Sequence, residues 1–163
     1  ATAIATVRNL QLGVKDENIK EGITKIKSIA RLQEIKYGKL KNICKDNRLY
    51  LDGSHNPLGA KALNEYLNTH DCKKHLILGM MSNKDHEEYL SKFDNISSIT
   101  TIDIPNQPNA ISGEELKKKL NKYPNINYKK SIEEALESLN LDKDDLIMIT
   151  GSLYLAGELL NLN

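Results

Sequence analysis

Five times between residues 48 and 163, a short apolar run gives way to a polar or glycine-containing turn and then to a helical pattern. RLYLD precedes PLGAKALNEYLNTH, KKHLILGM precedes DHEEYLSKF, and SSITTIDI precedes GEELKKKLNKY. INYKK then precedes SIEEALESL, and DLIMIT precedes SLYLAGELLNL. Strands separated by helices are joined by crossovers, so they run parallel and bury both faces under the helices. The alternation therefore predicts an α/β, Rossmann-like fold: a mostly parallel sheet of about six strands flanked by helices.

Several boundaries carry their own chemistry. Asn56 followed by Pro57 reads as an N-cap with proline at the first helical position, where its missing N–H costs nothing. Asp85 with Glu88, and Ser131 with Glu134, have the spacing of capping boxes. Leu63, Tyr66 and Leu67 fall on one stripe of the first of these helices, with Gly59 and Ala60 beside them for close packing on a sheet.

The N-terminal stretch differs. ATAIATVRNLQL reads as the interior of a helix that begins without a cap, and ENIKEGITKIKSI as a second helix with Ile19, Ile23 and Ile26 on one side. This is the expectation for the end of a preceding domain, with the chain as the C-terminal portion of a longer or split protein. No internal repeat or low-complexity linker interrupts it.

Composition narrows the function classes. Lys+Arg 23 against Asp+Glu 22 leaves a net charge of +1, so no whole-chain field draws the protein to nucleic acid or to a membrane surface. The N-terminus lacks the pattern of a signal peptide, and no run approaches the roughly 20 apolar residues of a membrane span. Cys44 and Cys72 stand in no metal or redox spacing and read as reduced cytoplasmic thiols. The histidines His55, His70, His75 and His86 are not at ligand spacing, and no metal site is assigned to this chain. His75, inside an apolar run, reads as a core or edge residue.

In an open parallel sheet the ligand crevice lies beyond the carboxyl ends of the strands. Three such ends carry unusual polar groups here: LDGSHNP, LGMMSNKD and ITGSLY. Each joins a glycine to a side chain able to bond a ligand, so Asp52, His55 and Ser152 are expected to share one hollow. Free N–H groups at helix starts favour an anion. Asp52 suits hydroxyls or a cation, and Arg31 can clamp an oxyanion through its planar fork. Two plainer readings stay open: Asp52 as a cap of its own turn and Ser152 as the cap of the last helix. GxSxG and GxxxxGK[ST] are both absent, which excludes a nucleophile elbow and a P-loop within these residues.

Four ordered segments, ARLQ, LDGSHNPLGAKAL, LILGMMSNKD and ITGSLYLAGEL, resemble the C-terminal domain of folylpolyglutamate synthase/dihydrofolate synthase, in the Mur ligase family. The opening ATAIATVRNL is similar to the last helix of that family's central ATPase domain. The resemblance implies residues 1–28 as the helical end of a missing ATPase domain and 29–163 as the glutamate ligase domain. It implies an ATP-dependent ligase that joins L-glutamate to a folate or dihydropteroate carboxylate through an acyl phosphate. The P-loop lobe, supplied in cis or trans, would hold most of the ATP and Mg2+. By the same resemblance Arg31 reaches the nucleotide phosphates, Asp52 the nucleotide, and His55 stands as the catalytic residue near nucleotide and glutamate. Ser152 and Tyr154 hold the glutamate. The chain departs from the pattern at Ala30, where the family has glycine, and at Asn83-Lys84-Asp85, where it has DKD. A catalytically inert nucleotide- or amino-acid-binding module, or a Mur-type ligase for another amino acid, are the alternatives.

Overall fold

The computed structural model describes residues 2–10, 12–26 and 28–163. Ala1, Gln11 and Lys27, which fall in the two expected N-terminal helices, lie outside the described residues. Helices α1 (Thr2–Asn9) and α2 (Asp16–Thr24) come first and bury none of their residues. Helix α2 stops short of the expected residue 29. Its end is closed by Lys25 N–H, shared between the Glu21 and Gly22 carbonyls at 3.2 Å, and by Thr24 Oγ1 donating to Glu21 O at 2.8 Å. Ile26 and Ile29 therefore fall beyond the helix.

From residue 48 the chain alternates as the sequence predicts, after a short strand and a short helix that it does not predict. The elements are β1 (Gln33–Glu34), α3 (Lys39–Ile43), β2 (Arg48–Asp52), α4 (Pro57–Leu67), β3 (Lys74–Leu78), α5 (His86–Leu90) and β4 (Ser98–Ile102). Then follow α6 (Gly113–Lys119), β5 (Ile126–Lys129), α7 (Ile132–Glu137), β6 (Leu146–Thr150) and α8 (Leu153–Leu162). The six strands form one sheet in the order β1-β2-β6-β3-β4-β5, and all pairings are parallel except that of β1 with β2.

Side chains alternate along each strand, so each strand feeds two cores. Leu49, Leu51, Ile77, Ile147 and Ile149 pack on one face with α3, α7 and α8. Tyr50, Leu76, Leu78, Leu146 and Met148 pack on the other with α4, α5 and α6. Strands β3 and β6 are buried at every position, which is why residues 76–78 and 146–149 read as continuous apolar runs. The expected caps form: Asn56, Asp85 and Ser131 accept from the backbone N–H of Gly59, Glu88 and Glu134. His75 is a core residue, its ring between Ser98 Oγ at 2.7 Å and Asp145 Oδ2 at 3.3 Å.

Candidate functional site

Register decides where the functional side chains meet. Asp52 pairs with Thr150 across β2 and β6, and Thr150 pairs with Leu78 across β6 and β3, so these three strands end level. The helix after β6 packs on one face of the sheet while those after β2 and β3 pack on the other. The connections diverge at β6 and leave a crevice beyond it, the switch-point geometry in which α/β proteins hold ligands.

The three turns are tied together by backbone bonds. Gly151 N–H donates to Ser54 O at 3.1 Å, and Gly79 N–H to Thr150 O at 3.2 Å. Gly151 has φ +110°, and a Cβ there would stand 2.6 Å from Gly79 O, so only glycine fits. At Gly53 an added Cβ would meet Leu153 Cδ2 at 2.3 Å, which fixes how closely the first turn approaches α8.

Asp52 is buried, and each carboxylate oxygen accepts one backbone N–H: Oδ1 from Ser54 and Oδ2 from Leu32, both at 2.7 Å. It thus caps its own turn and also straps the Arg31 segment to it, helped by Gly53 N–H donating to Ala30 O at 2.9 Å. Ala30 and Leu32, on either side of Arg31, have φ of 52° and 46°. The position at which the resembling family has glycine is therefore left-handed here, and alanine occupies it at a cost of about 1 kcal/mol. Ser152 is buried, and its Oγ accepts from Tyr154 N–H at 3.1 Å, capping α8. The two plainer readings of Asp52 and Ser152 thus describe real contacts. Both groups retain capacity to bond a ligand: each carboxylate oxygen has a second lone pair, and the serine has its hydroxyl proton.

The single hollow expected for Asp52, His55 and Ser152 is two. One, about 440 Å3, is lined by His55, residues 81–84, Asn109 and residues 152–154. The other, about 490 Å3, is lined by Arg31, Leu32, residues 52–56 and the start of α4 including Leu58. Asp52 belongs to the second and Ser152 to the first, because the Asp52 carboxylate is turned back toward Leu32 rather than toward α8. His55 lines both. Its Nδ1 lies 3.1 Å from Gly53 O, which can only accept, so Nδ1 carries the proton and the neutral ring keeps a lone pair on Nε2.

Sequence reasoning missed the fourth wall. Residues 107–111 lie against the β3–α5 loop through a Met81–Ala110 bridge, with Ser82 N–H and Oγ both donating to Asn109 O at 2.9 Å. His86 Nε2–H holds the same loop through Met81 O at 3.0 Å. Asn109 and the cation Lys84 thereby enter the first hollow. The IPNQPNA stretch signals a loop, but no local pattern says which strand end it covers. Among the described residues no group of three or more His, Cys, Asp or Glu side chains could hold a metal, and the Asp52 oxygens already serve two backbone groups. Among the described residues these groups do not make a cage for a divalent ion.

The family profile described as Mur ligase, glutamate ligase domain matches residues 38–153. The chain is similar to the bifunctional folylpolyglutamate synthase/dihydrofolate synthase of Yersinia pestis CO92, with 22% identity and a TM-score of 0.80 over 99% of this chain and 37% of that one. It is similar to the folylpolyglutamate synthase of Thermotoga maritima, with 24% identity and a TM-score of 0.72 over 98% of this chain and 36% of that one. A bifunctional folylpolyglutamate synthase/dihydrofolate synthase with Mn, AMPPNP and L-glutamate bound is 21% identical, with a TM-score of 0.80 over 99% of this chain and 38% of that one. These likenesses establish the α/β fold. The chain spans little more than a third of the length of those proteins. No curated protein sequence matches it. No described helix is long and apolar enough to cross a membrane.

Proposed function

The chain belongs to the Mur ligase, glutamate ligase domain family, and on that premise we propose that it is the C-terminal lobe of an ATP-dependent ligase adding L-glutamate to a folate or dihydropteroate carboxylate. The observation that carries this reading is the position of His55, one side chain in the wall of two hollows at a sheet switch point. Joining an amine to an activated carboxylate needs two ligands held side by side with a proton acceptor between them.

In this reading the second hollow takes the nucleotide. Arg31 is directed to the phosphates, Asp52 offers its remaining lone pairs to ribose hydroxyls, and Leu32 and Leu58 supply apolar surface for the base. The first hollow takes L-glutamate, with Lys84 as the cation for a carboxylate and Ser152 and Tyr154 as hydrogen-bonding partners. A solved relative of the same fold holds both AMPPNP and L-glutamate, which supports the pairing of ligands.

The reaction joins the glutamate nitrogen to the carbonyl carbon of an acyl phosphate. A C–N bond forms, the C–O bond to phosphate breaks, and the nitrogen gives up a proton, for which the His55 Nε2 lone pair is the acceptor. Residues 1–28 are the helical end of the preceding ATPase domain in this reading. The P-loop and Mg2+ that form the acyl phosphate reside in that domain, in cis or in trans.

The test is glutamate-dependent phosphate release from ATP, with a folate or dihydropteroate substrate present, in a protein that joins this chain to a P-loop lobe. The chain by itself should be inactive. His55→Ala in the joined protein should lower kcat by about a hundredfold or more, with little change in melting temperature. Undiminished turnover in that variant would remove His55 from the chemistry, and a joined protein indifferent to L-glutamate would remove the reading.

A further inference from the structure

Beneath the two hollows lies a cluster of three hydroxyls, of which Tyr89 and Thr150 are buried and Ser54 is partly exposed. Tyr89, on α5, is fully buried. Its phenol stands 2.8 Å from Thr150 Oγ1 and 3.3 Å from Ser54 Oγ, and the last two are 3.5 Å apart. Burial pushes the phenol up to about 12, so it remains a neutral donor and acceptor at ordinary pH. Each hydroxyl donates once and can accept, so the triangle closes on itself. Moving one corner leaves its partners short of a bond in a low-dielectric interior.

Each corner belongs to a different piece of the site. Ser54 lines the second hollow. Thr150 ends β6 and leads through Gly151 into Ser152, in the wall of the first. Tyr89 lies in the helix that follows the Met81–Lys84 loop, also a wall of the first hollow. The backbone doubles the connection, because Gly151 N–H donates to Ser54 O. Ser54 has no slack on its other side: an added Cβ at Gly59 would stand 2.6 Å from Ser54 Cβ. The Asp52–Asn56 and Gly151–Tyr154 turns thus form one mechanical unit pinned by the buried Tyr89 and Thr150 hydroxyls and the half-buried Ser54 hydroxyl.

We propose that Ser54, Tyr89 and Thr150 form a positioning device that couples the two hollows, so that a ligand against the Asp52–Asn56 turn strengthens binding at the Ser152–Tyr154 turn. The proposal rests on the reading of the hollows as nucleotide and amino-acid sites. Two rigidly linked turns pay the ordering cost once, so the second ligand meets a wall the first has already fixed.

The test uses this chain joined to a P-loop lobe, titrated with Mg-ATP and L-glutamate, singly and together, alongside amide hydrogen exchange without ligand. In the wild type, saturating Mg-ATP should tighten L-glutamate about fivefold or more, the lower end of ordinary coupling. Tyr89→Phe keeps the ring and removes one corner. It should leave Mg-ATP affinity near the wild-type value, abolish the tightening, and speed exchange of the Gly151 amide roughly three- to tenfold, the loss of one hydrogen bond. Thr150→Val should reproduce the loss and carries the test if Tyr89→Phe does not fold; Thr150→Ser, which keeps the hydroxyl, should restore coupling. Tightening that survives both Tyr89→Phe and Thr150→Val would overturn the proposal, as would a wild type that binds both ligands independently. A wild type that binds neither would overturn the functional reading itself, and the coupling with it.

Discussion

The N-terminal helices and the sheet that follows carry equally periodic apolar patterns and end in opposite environments. Ile19, Ile23 and Ile26, with Ile4, Val7 and Val14, line an apolar groove of about 470 Å3 in which no helical residue is buried. Leu49, Leu51, Ile147 and Ile149 are completely enclosed. Periodicity says that a face is apolar; burial needs a second surface to cover it. The sheet carries its own cover in helices on both sides, while among the described residues α1 and α2 bury none of their side chains.

That contrast is open to measurement. The largest effect is expected from Ile149→Ala, at a side chain fully enclosed in β6, which should cost about 3–4 kcal/mol of unfolding free energy. Ile23→Ala, at a side chain about half exposed, should stay within about 0.5 kcal/mol. Urea denaturation of the two variants decides it, and equal costs would mean that the helical pair is as firmly packed as the sheet.

Glycines provide the next comparison. Gly151→Ala places a Cβ 2.6 Å from Gly79 O at φ +110° and should destabilise by about 2–3 kcal/mol. Gly22→Ala, with nothing within 4 Å of the new atom, should instead favour α2 by roughly 0.5–1 kcal/mol. Thermal melting and circular dichroism would show the opposite signs.

A further effect is confined to alkaline solution and to the sheet. Burial pushes the Cys44 thiol up from 9.0 to about 11. The folded state therefore holds this proton more tightly than the unfolded one. Stability from the neutral thiol is complete below about pH 9 and lost as pH rises toward about 11. Cys44→Ala should flatten the fall in stability over that interval, and native Cys44 should resist alkylation at pH 8. Fast alkylation there would show that the helical face over Cys44 opens as readily as the N-terminal pair.

Legibility in the sequence followed how local the cause was. The caps at Asn56, Asp85 and Ser131 rest on side chains bonding backbone three residues ahead, and the strands β2 to β6 on runs of four or five residues, so both are visible in the letters. The same signal at Ser112 and Glu115 went unread, although Ser112 Oγ accepts from Glu115 N–H at 3.2 Å. Strand β1 is two residues long and pairs antiparallel with β2, too short for any period to show. Helix α3 has only five residues and leans for its N–H groups on Asn163, whose Oδ1 accepts from Leu40 N–H at 3.1 Å. That partner lies at the far end of the chain.

By itself the sequence determined the class of fold and the turns on which polar groups gather, because periodicity, capping and glycine placement act within a few residues; the family resemblance lay in four ordered motifs. Only the tertiary structure decided that β6 lies between β2 and β3, and so that residues far apart in the chain share one edge. It also divided the expected hollow in two about His55, brought Asn109 into its wall, and closed Ser54, Tyr89 and Thr150 into a triangle. Those outcomes depend on which faces pack together, and that choice minimises the exposed apolar surface of the whole sheet rather than of any segment.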